Sequence, residues 1–526
     1  MSLIGKPPCD DGAVLYGSQP ASCSAVSRRW TLVAAILGSS MAFVDGTIAN
    51  VALPAIQRDL GATASQAQWV IESYAIFLAS LLLVGGALGD RFGRRRIFLA
   101  GVAIFTVAAI GCAISSNVQQ LILARAVQGV GAALLVPGSL ALISATFPQN
   151  ERGQAIGTWS GFSGIAAALG PVLGGFLVDN LSWTWAFLIN VPLGIALIVL
   201  SLAKVPESRS PPAAAGLDIW GAALGMSGLA GIVFAFIEAP VRGWSAPLVA
   251  GAGAIGLLGL ALFVVVENHT RAPMLPFGLF RQRNFSGANL LTLLLYAALG
   301  GGLYFFPLNL IQIQGYGAAA AGAALLPFIA IMFVLSRWAG KLVDRFGART
   351  PLVVGPLIAA VGFAWFALPA IGGSYWQTFL PAVCVLGLGM AVTVAPLTTT
   401  VMNSVGTELA GVASGINNAV SRVAALLAIA VFGIAMSIAF DATLSDRLAA
   451  LRLPAPLHDA VWEQRDRLAA IVVPSDAVDP ERIQRAIGEA FVAGFRRVML
   501  ACAVLALLSA LGSWLLIEGK RDGQHK

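Results

Sequence analysis

Long apolar stretches closed by short polar clusters run through this chain from about residue 30 to about residue 517. About twenty apolar residues is the length a helix needs to cross the hydrocarbon core of a bilayer. Fourteen such runs are expected, at roughly 30–53, 67–88, 96–115, 119–146, 154–178, 183–203, 218–239, 246–266, 286–309, 319–340, 351–371, 376–402, 410–438 and 494–517. No Asp, Glu, Lys or Arg lies between Arg283 and Arg337, nor between Arg349 and Glu408. Each gap is too long for one span and suits two, broken by Gly and polar residues at "IQIQGYG" (311–317) and "IGGSYWQ" (371–377). The pattern predicts an all-α polytopic membrane protein with fourteen transmembrane helices.

Composition agrees, with 58% of residues hydrophobic and 11% charged, against about 25% charged in a soluble domain. The net charge of +7 would suggest a nucleic-acid partner only if it formed a basic face on a soluble fold. Here the basic residues lie mainly in short loops, where they set orientation in the membrane. Short loops on one side hold only Arg58 and Arg242. That side is expected outside, which puts both termini, including the 1–28 tail, in the cytoplasm of a bacterial inner-membrane protein. The exception is segment 441–493, mixed in charge and expected outside, read as a solvated surface rather than a binding domain. At its end Asp479 is expected to cap a helix that has Pro480 at its first position and runs into the last span. The five cysteines (Cys9, Cys23, Cys112, Cys384, Cys502) are isolated, so neither disulfide nor metal site is expected. The first 27 residues lack the apolar core of a signal peptide.

"GALGDRFGRRR" (86–96) recurs as "GKLVDRFGART" (340–350), with Asp90 and Asp344 in register 254 residues apart. The offset exceeds six spans by one helical hairpin. Two six-helix bundles (29–203 and 286–517) with an inserted pair (217–266) account for it, and parallel repeats of this kind occur in transporters.

Several residues are too polar for their surroundings. Asp45 in "MAFVDGTIANVALP" (41–54) costs about 2.5–3.5 kcal/mol to insert. Helix geometry places it somewhat beyond the midplane, and Glu72, near the start of the second run, falls at comparable depth. Two acids at one depth read as a titrating pair facing water; a single acid would serve as a cap or an inter-helix fastener. Arg125, flanked by Gln128 and Gly129, needs polar partners at its depth. It is either a structural hub or a charge that tunes a proton site. Arg422, with Asn417 and Asn418, is open between a substrate contact, a counter-charge and a structural role. In 154–178, Gly157, Gly161, Gly170, Pro171, Gly174 and Gly175 make a small-faced helix suited to close packing.

Taken in order, these strings resemble the major facilitator superfamily, and within it the fourteen-span drug:proton antiporters. "VDGTIANVALP" (44–54) looks like that subfamily's first-helix motif, and "GALGDRFGRRR" like the superfamily's loop between helices 2 and 3. "LARAVQGVGAA" (123–133) resembles the fourth-helix motif with its buried Arg. "ALGPVLGGFL" (168–177), carrying Gly170, Pro171, Gly174 and Gly175, matches the antiporter motif, though Ala166 stands where the pattern wants Gly. "LDIWGA" (217–222) looks like the start of the inserted seventh helix. The resemblance implies a conformational latch at Gly86, Asp90, Arg91, Gly93 and Arg94, with Asp344 and Arg345 as counterparts in a degraded second copy. From the residues alone, Asp90 also reads as a helix-end counter-ion for its neighbours, and the latch is the favoured reading. The implied activity is alternating-access, proton-coupled export of small lipophilic or cationic compounds, with Asp45, Glu72, Arg125 and Arg422 at the proton-coupling or substrate site. An uptake symporter and an exporter of one endogenous metabolite are the alternatives. Expected partners are the lipid bilayer, protons and a small-molecule substrate, and an accessory periplasmic protein is left open. No cofactor is expected, and without a catalytic constellation or a phosphate loop the chain is not expected to be an enzyme.

Overall fold

The computed structural model describes residues 25–208, 218–270, 273, 275, 277–340, 342–405, 410–474 and 479–519, apart from a minority of their side chains. Fourteen helices of fifteen residues or more stand among the described residues. They are α1 (Ala25–Leu60), α2 (Ala64–Phe92), α3 (Arg94–Ala113), α4 (Val118–Thr146), α5 (Gln149–Asn180), α6 (Asn190–Lys204) and α7 (Ile219–Arg242). Then follow α8 (Pro247–His269), α9 (Arg283–Gln312), α10 (Leu326–Gly340), α11 (Arg349–Phe366), α12 (Leu380–Asn403), α13 (Ala410–Leu451) and α14 (Pro480–Leu516). Twelve runs among the described residues are long and apolar enough to cross a membrane, against the fourteen expected. The other two expected runs fall in α2 and α5, which contain side chains outside the described set.

Local chemistry explains several boundaries. At the start of α2, Thr63 and Gln66 form a reciprocal cap: the Gln66 N–H donates to Thr63 Oγ1 (3.2 Å) and the Thr63 N–H to Gln66 Oε1 (3.0 Å). Three expected runs are interrupted, with short turns at Trp185–Leu188, Ala318–Ala323 and Tyr375–Thr378 preceding α6, α10 and α12. Each break lies two to four residues before Pro192, Pro327 or Pro381. Proline lacks the N–H that would bond four residues back, and its ring crowds that carbonyl.

Two compact units emerge. The first comprises residues up to Ile56 with Trp69–Ile232 and Gly253–Met274; the second comprises Gln57–Gln68, Val233–Ala252 and Leu275 onward. The inserted pair α7 and α8 is therefore divided between the units rather than forming a third. In the first unit Phe98, Phe105, Leu135 and Leu197 pack a core across α3, α4 and α6. The repeat is visible in the backbone: Gly93 and Gly347 both take positive φ (112° and 75°). Arg91 lies over the ring of Phe92 at 5.4 Å, and Arg345 over that of Phe346 at 5.2 Å.

The expected cap of α14 needs correction. Asp479 occupies the cap position with Pro480 following, but its backbone is left-handed and its side chain makes no capping bond. Its carboxylate lies 3.5 Å from Arg482 instead.

Candidate functional site

In the first unit, α1, α2, α4 and α6 converge on Asp45. The acid and Arg125 are both fully buried. Arg125 Nη1 donates to Asp45 Oδ2 and to Gln128 Oε1, the latter at 2.7 Å. Asp45 Oδ1 accepts from Gln128 Nε2 (2.9 Å) and Asn190 Nδ2 (3.0 Å). The carboxylate thus accepts three side-chain hydrogen bonds, one from a cation. Arg125 Nε donates to the Val70 carbonyl (3.1 Å) on α2. The guanidinium lies 4.3 Å from the centre of the Tyr74 ring and 5.7 Å from that of Phe187, a placement that stabilises a cation by ring electrostatics. Tyr74 in turn donates its hydroxyl to the Ala42 carbonyl (3.1 Å), tying α2 to α1. Arg125 Nη2 and Asn190 Oδ1 are buried without a hydrogen bond. The arrangement is a buried ion pair held by four helices. A change in the Asp45 charge acts directly on the three bonds it accepts, from Arg125, Gln128 and Asn190.

Glu72 does not join it. The expectation of an Asp45–Glu72 pair facing water is corrected: both residues are buried, at 1% and 0% exposure. Val70 and Tyr74, four residues apart on α2, meet Arg125, whereas Glu72 lies two residues from each and so points to another face of the helix. Both Glu72 carboxyl oxygens are buried without a hydrogen bond. It is a second, separate buried acid.

The small face of α5 packs against the Asp45 turn. A Cβ at Gly170 would lie 2.0 Å from Thr47 Oγ1 and 3.0 Å from the Val44 carbonyl, while one at Gly174 would crowd Ile48 at 3.1 Å. Thr47 Oγ1 also donates to the Ala167 carbonyl (3.1 Å). Pro171 and Gly175 are buried beside them. The helix pair closes only because position 170 has no side chain.

At the loop motif, Gly93 precedes α3 with its positive φ, and a Cβ there would meet the Glu207 carboxyl at 2.9 Å. Glu207 accepts from the backbone N–H groups of Arg95 (3.0 Å) and Arg96 (3.2 Å), while the Arg94 N–H donates to the Ser208 carbonyl (2.8 Å). A carboxylate on the open N–H groups of a helix start is favoured by the helix dipole. Glu207→Ala is expected to destabilise the purified protein by about 1–2 kcal/mol, with Glu207→Gln milder, as read from thermal melting. Unchanged melting of the Ala variant would show that α3 does not depend on this cap. A Cβ at Gly86 or Gly89 would make ordinary contacts, and the tight contact falls at Gly85, where a Cβ would lie 2.1 Å from the Ala133 carbonyl of α4. The Asp90 and Asp344 side chains lie outside the described residues.

Residues 35–429 match the model of the Major Facilitator Superfamily. The chain belongs to this superfamily. It is similar over most of its length to proteins that confer drug resistance. The tetracenomycin C resistance and export protein of Streptomyces glaucescens is 33% identical over 495 residues, covering 92% of this chain and 90% of that protein. The multidrug resistance protein Stp of Mycobacterium tuberculosis (strain CDC 1551 / Oshkosh) is 33% identical, with 92% and 91% covered. The puromycin resistance protein pur8 of Streptomyces alboniger is 36% identical, with 81% and 86% covered. In fold the chain resembles a bacterial homolog of the human lysosomal transporter Spinster in its inward-facing, unoccupied conformation. That match has a TM-score of 0.65 and 17% identity, covering 94% of this chain and 97% of that one. This superfamily member is a multi-pass membrane transporter with small-molecule substrates.

The transporter's second unit carries the remaining candidate. Arg422 is half-buried on α13. One turn earlier, Asn417 donates to Asn289 Oδ1 (3.2 Å) and Thr292 Oγ1 (2.6 Å) on α9. The sequence reading overlooked Asn190, Tyr74 and Glu207. Asn190 had a signal: it is the lone amide in the apolar string "WAFLINVPLG" (185–194). Glu207, in "VPESR" after a span, had none, because only the folded loop brings it to α3.

Proposed function

We propose that this transporter is a proton-coupled exporter of small lipophilic or cationic compounds in a bacterial inner membrane, working by alternating access. Export of such compounds is supported by the names of its relatives, which confer resistance to tetracenomycin C, puromycin or several drugs. The observation that carries proton coupling is the burial of Asp45 against Arg125. An ion pair at this depth offers no stability that apolar packing would not match, so its presence calls for a task that uses charge. Protonating Asp45 would cancel its attraction for Arg125 and loosen the α1–α4 contact; deprotonation would restore it. Glu72, buried and without a hydrogen bond, is the supporting acid. The driving force is about 2.3 kcal/mol per charge per 100 mV and about 1.36 kcal/mol per pH unit.

Fourteen spans with both termini cytoplasmic are part of this proposal. They are supported by α2 and α5, 29 and 32 residues long, and by the uneven distribution of Lys and Arg. Asp90 is proposed as a latch on the cytoplasmic side, so Asp90→Asn is expected to lose transport at normal expression, and full activity would remove the latch. The test of the function is a screen in everted vesicles with ethidium, puromycin and other lipophilic compounds. Added substrate is expected to dissipate an imposed pH gradient, acid inside. Dissipation only under the opposite gradient would mean uptake by symport.

A further inference from the structure

A groove of about 550 Å³ lies in the second unit between the parts of α13 and α14 that extend beyond their apolar runs. Arg447 and Thr443 of α13 line one wall; Arg485, Glu489 and Arg496 of α14 line the other, with Ile371 and Val492 as apolar floor. Arg485, Glu489, Val492 and Arg496 recur at helical spacing, so one face of α14 supplies that wall. Three arginines against one glutamate leave a formal charge of +2, and the glutamate is already bridged to Arg447 at 2.9 Å. Arg496 is braced by its Nη2 on the carbonyls of Leu368 (3.3 Å) and Pro369 (3.4 Å), while its Nε is buried with no hydrogen bond.

The position of the groove identifies its environment. One turn after Arg496, α14 begins a stripe of exposed Leu500, Val504, Leu507, Leu511 and Leu515. That stripe runs for roughly 22 Å along the helix, most of the hydrocarbon thickness. Exposed Ile438 ends a corresponding apolar face on α13 before Thr443 and Arg447. The groove therefore opens where the lipid-facing surface stops, at headgroup level. We propose that it holds the phosphate headgroup of an anionic phospholipid whose acyl chains lie along the Leu500–Leu515 stripe. Basic pockets between helices bind anionic headgroups on the cytoplasmic side of membranes, and the same charge attraction and hydrogen bonding serve a headgroup in the outer leaflet, where the proposed topology puts this groove. A soluble anion would account for the arginines but not for their placement at the end of the exposed Leu500–Leu515 stripe.

The experiment is native mass spectrometry of the purified full-length protein, titrated with phosphatidylglycerol, phosphatidylcholine or inorganic phosphate. The wild type is expected to retain phosphatidylglycerol at least about tenfold better than phosphatidylcholine, a preference within reach of three arginines near a membrane surface. The Arg447→Gln/Arg485→Gln/Arg496→Gln variant is expected to bring retention down to the phosphatidylcholine level, while Arg281→Gln changes nothing. If the triple variant does not fold, Arg447→Gln/Arg485→Gln alters two exposed side chains, leaves the Arg496 brace intact and is expected to lose most of the preference. Wild-type retention in the variants, equal loss in Arg281→Gln, or displacement of the lipid by inorganic phosphate would each overturn the assignment.

Discussion

Asp45→Asn is expected to abolish gradient-driven export and to destabilise the protein. Asn keeps one acceptor oxygen but places an NH₂ group among the donors of Arg125, Gln128 and Asn190. The guanidinium is then left buried without its counter-charge, and removing one member of a buried pair costs about 3–5 kcal/mol. Charge and structure separate in the double variant. Asp45→Asn/Arg125→Gln removes both charges, so its thermal stability is expected to return close to that of the wild type while pH-driven export stays lost. Recovery of export in that variant would reduce the pair to a fastener. Glu72→Gln, tested beside it, is expected to weaken coupling with little loss of stability, because no hydrogen bond holds the Glu72 carboxyl. As Glu72 faces away from the Arg125 network, its effect on stability is expected to add to that of Asp45→Asn rather than couple with it.

The second large effect is expected at Gly170. A methyl group there would fall 2.0 Å from Thr47 Oγ1, forcing α5 off α1 beside Asp45. Overpacking of this kind costs about 1–3 kcal/mol, and Gly170→Val should cost more than Gly170→Ala. Transport is expected to fall to background in both. Thr47→Ala removes the obstructing oxygen, so Gly170→Ala/Thr47→Ala is expected to recover part of the activity that Gly170→Ala loses. The Val44 carbonyl at 3.0 Å keeps that recovery incomplete. The measurement is initial export rate at matched expression. No recovery would mean that Gly170 acts through something other than its contact with Thr47.

The helices were legible because lipid and core both select apolar runs, and hydropathy reports burial in either. What it misses is helix that leaves the membrane. α1 extends from Ala25 to Leu60 against an expected 30–53, and α13 continues to Leu451 through "DATLSDRLAAL", where alternating polar faces replace a solid apolar run. At the site, Asp45 and Arg125 stood out because each is costly in its span. Their partnership did not, since nothing in one sequence says which face of α1 turns toward α4. Matching depth made Asp45 and Glu72 look like a pair. The two-residue offset of Glu72 from Val70 and Tyr74 sets them apart. Gly85 and Gly86 illustrate the same limit, for only the rotation of α2 decides which of the two neighbours meets the Ala133 carbonyl.

The proposed mechanism is exchange of the exported compound for protons through Asp45. It is tested most directly in proteoliposomes of purified protein with a pH-sensitive dye inside, after addition of a compound that the wild type exports in the vesicle screen. Wild-type protein is expected to release protons from the acid interior as the compound enters, with an internal pH rise that scales with compound flux and is absent in Asp45→Asn. Compound flux with no internal pH change, or an equal pH change in Asp45→Asn, would contradict it.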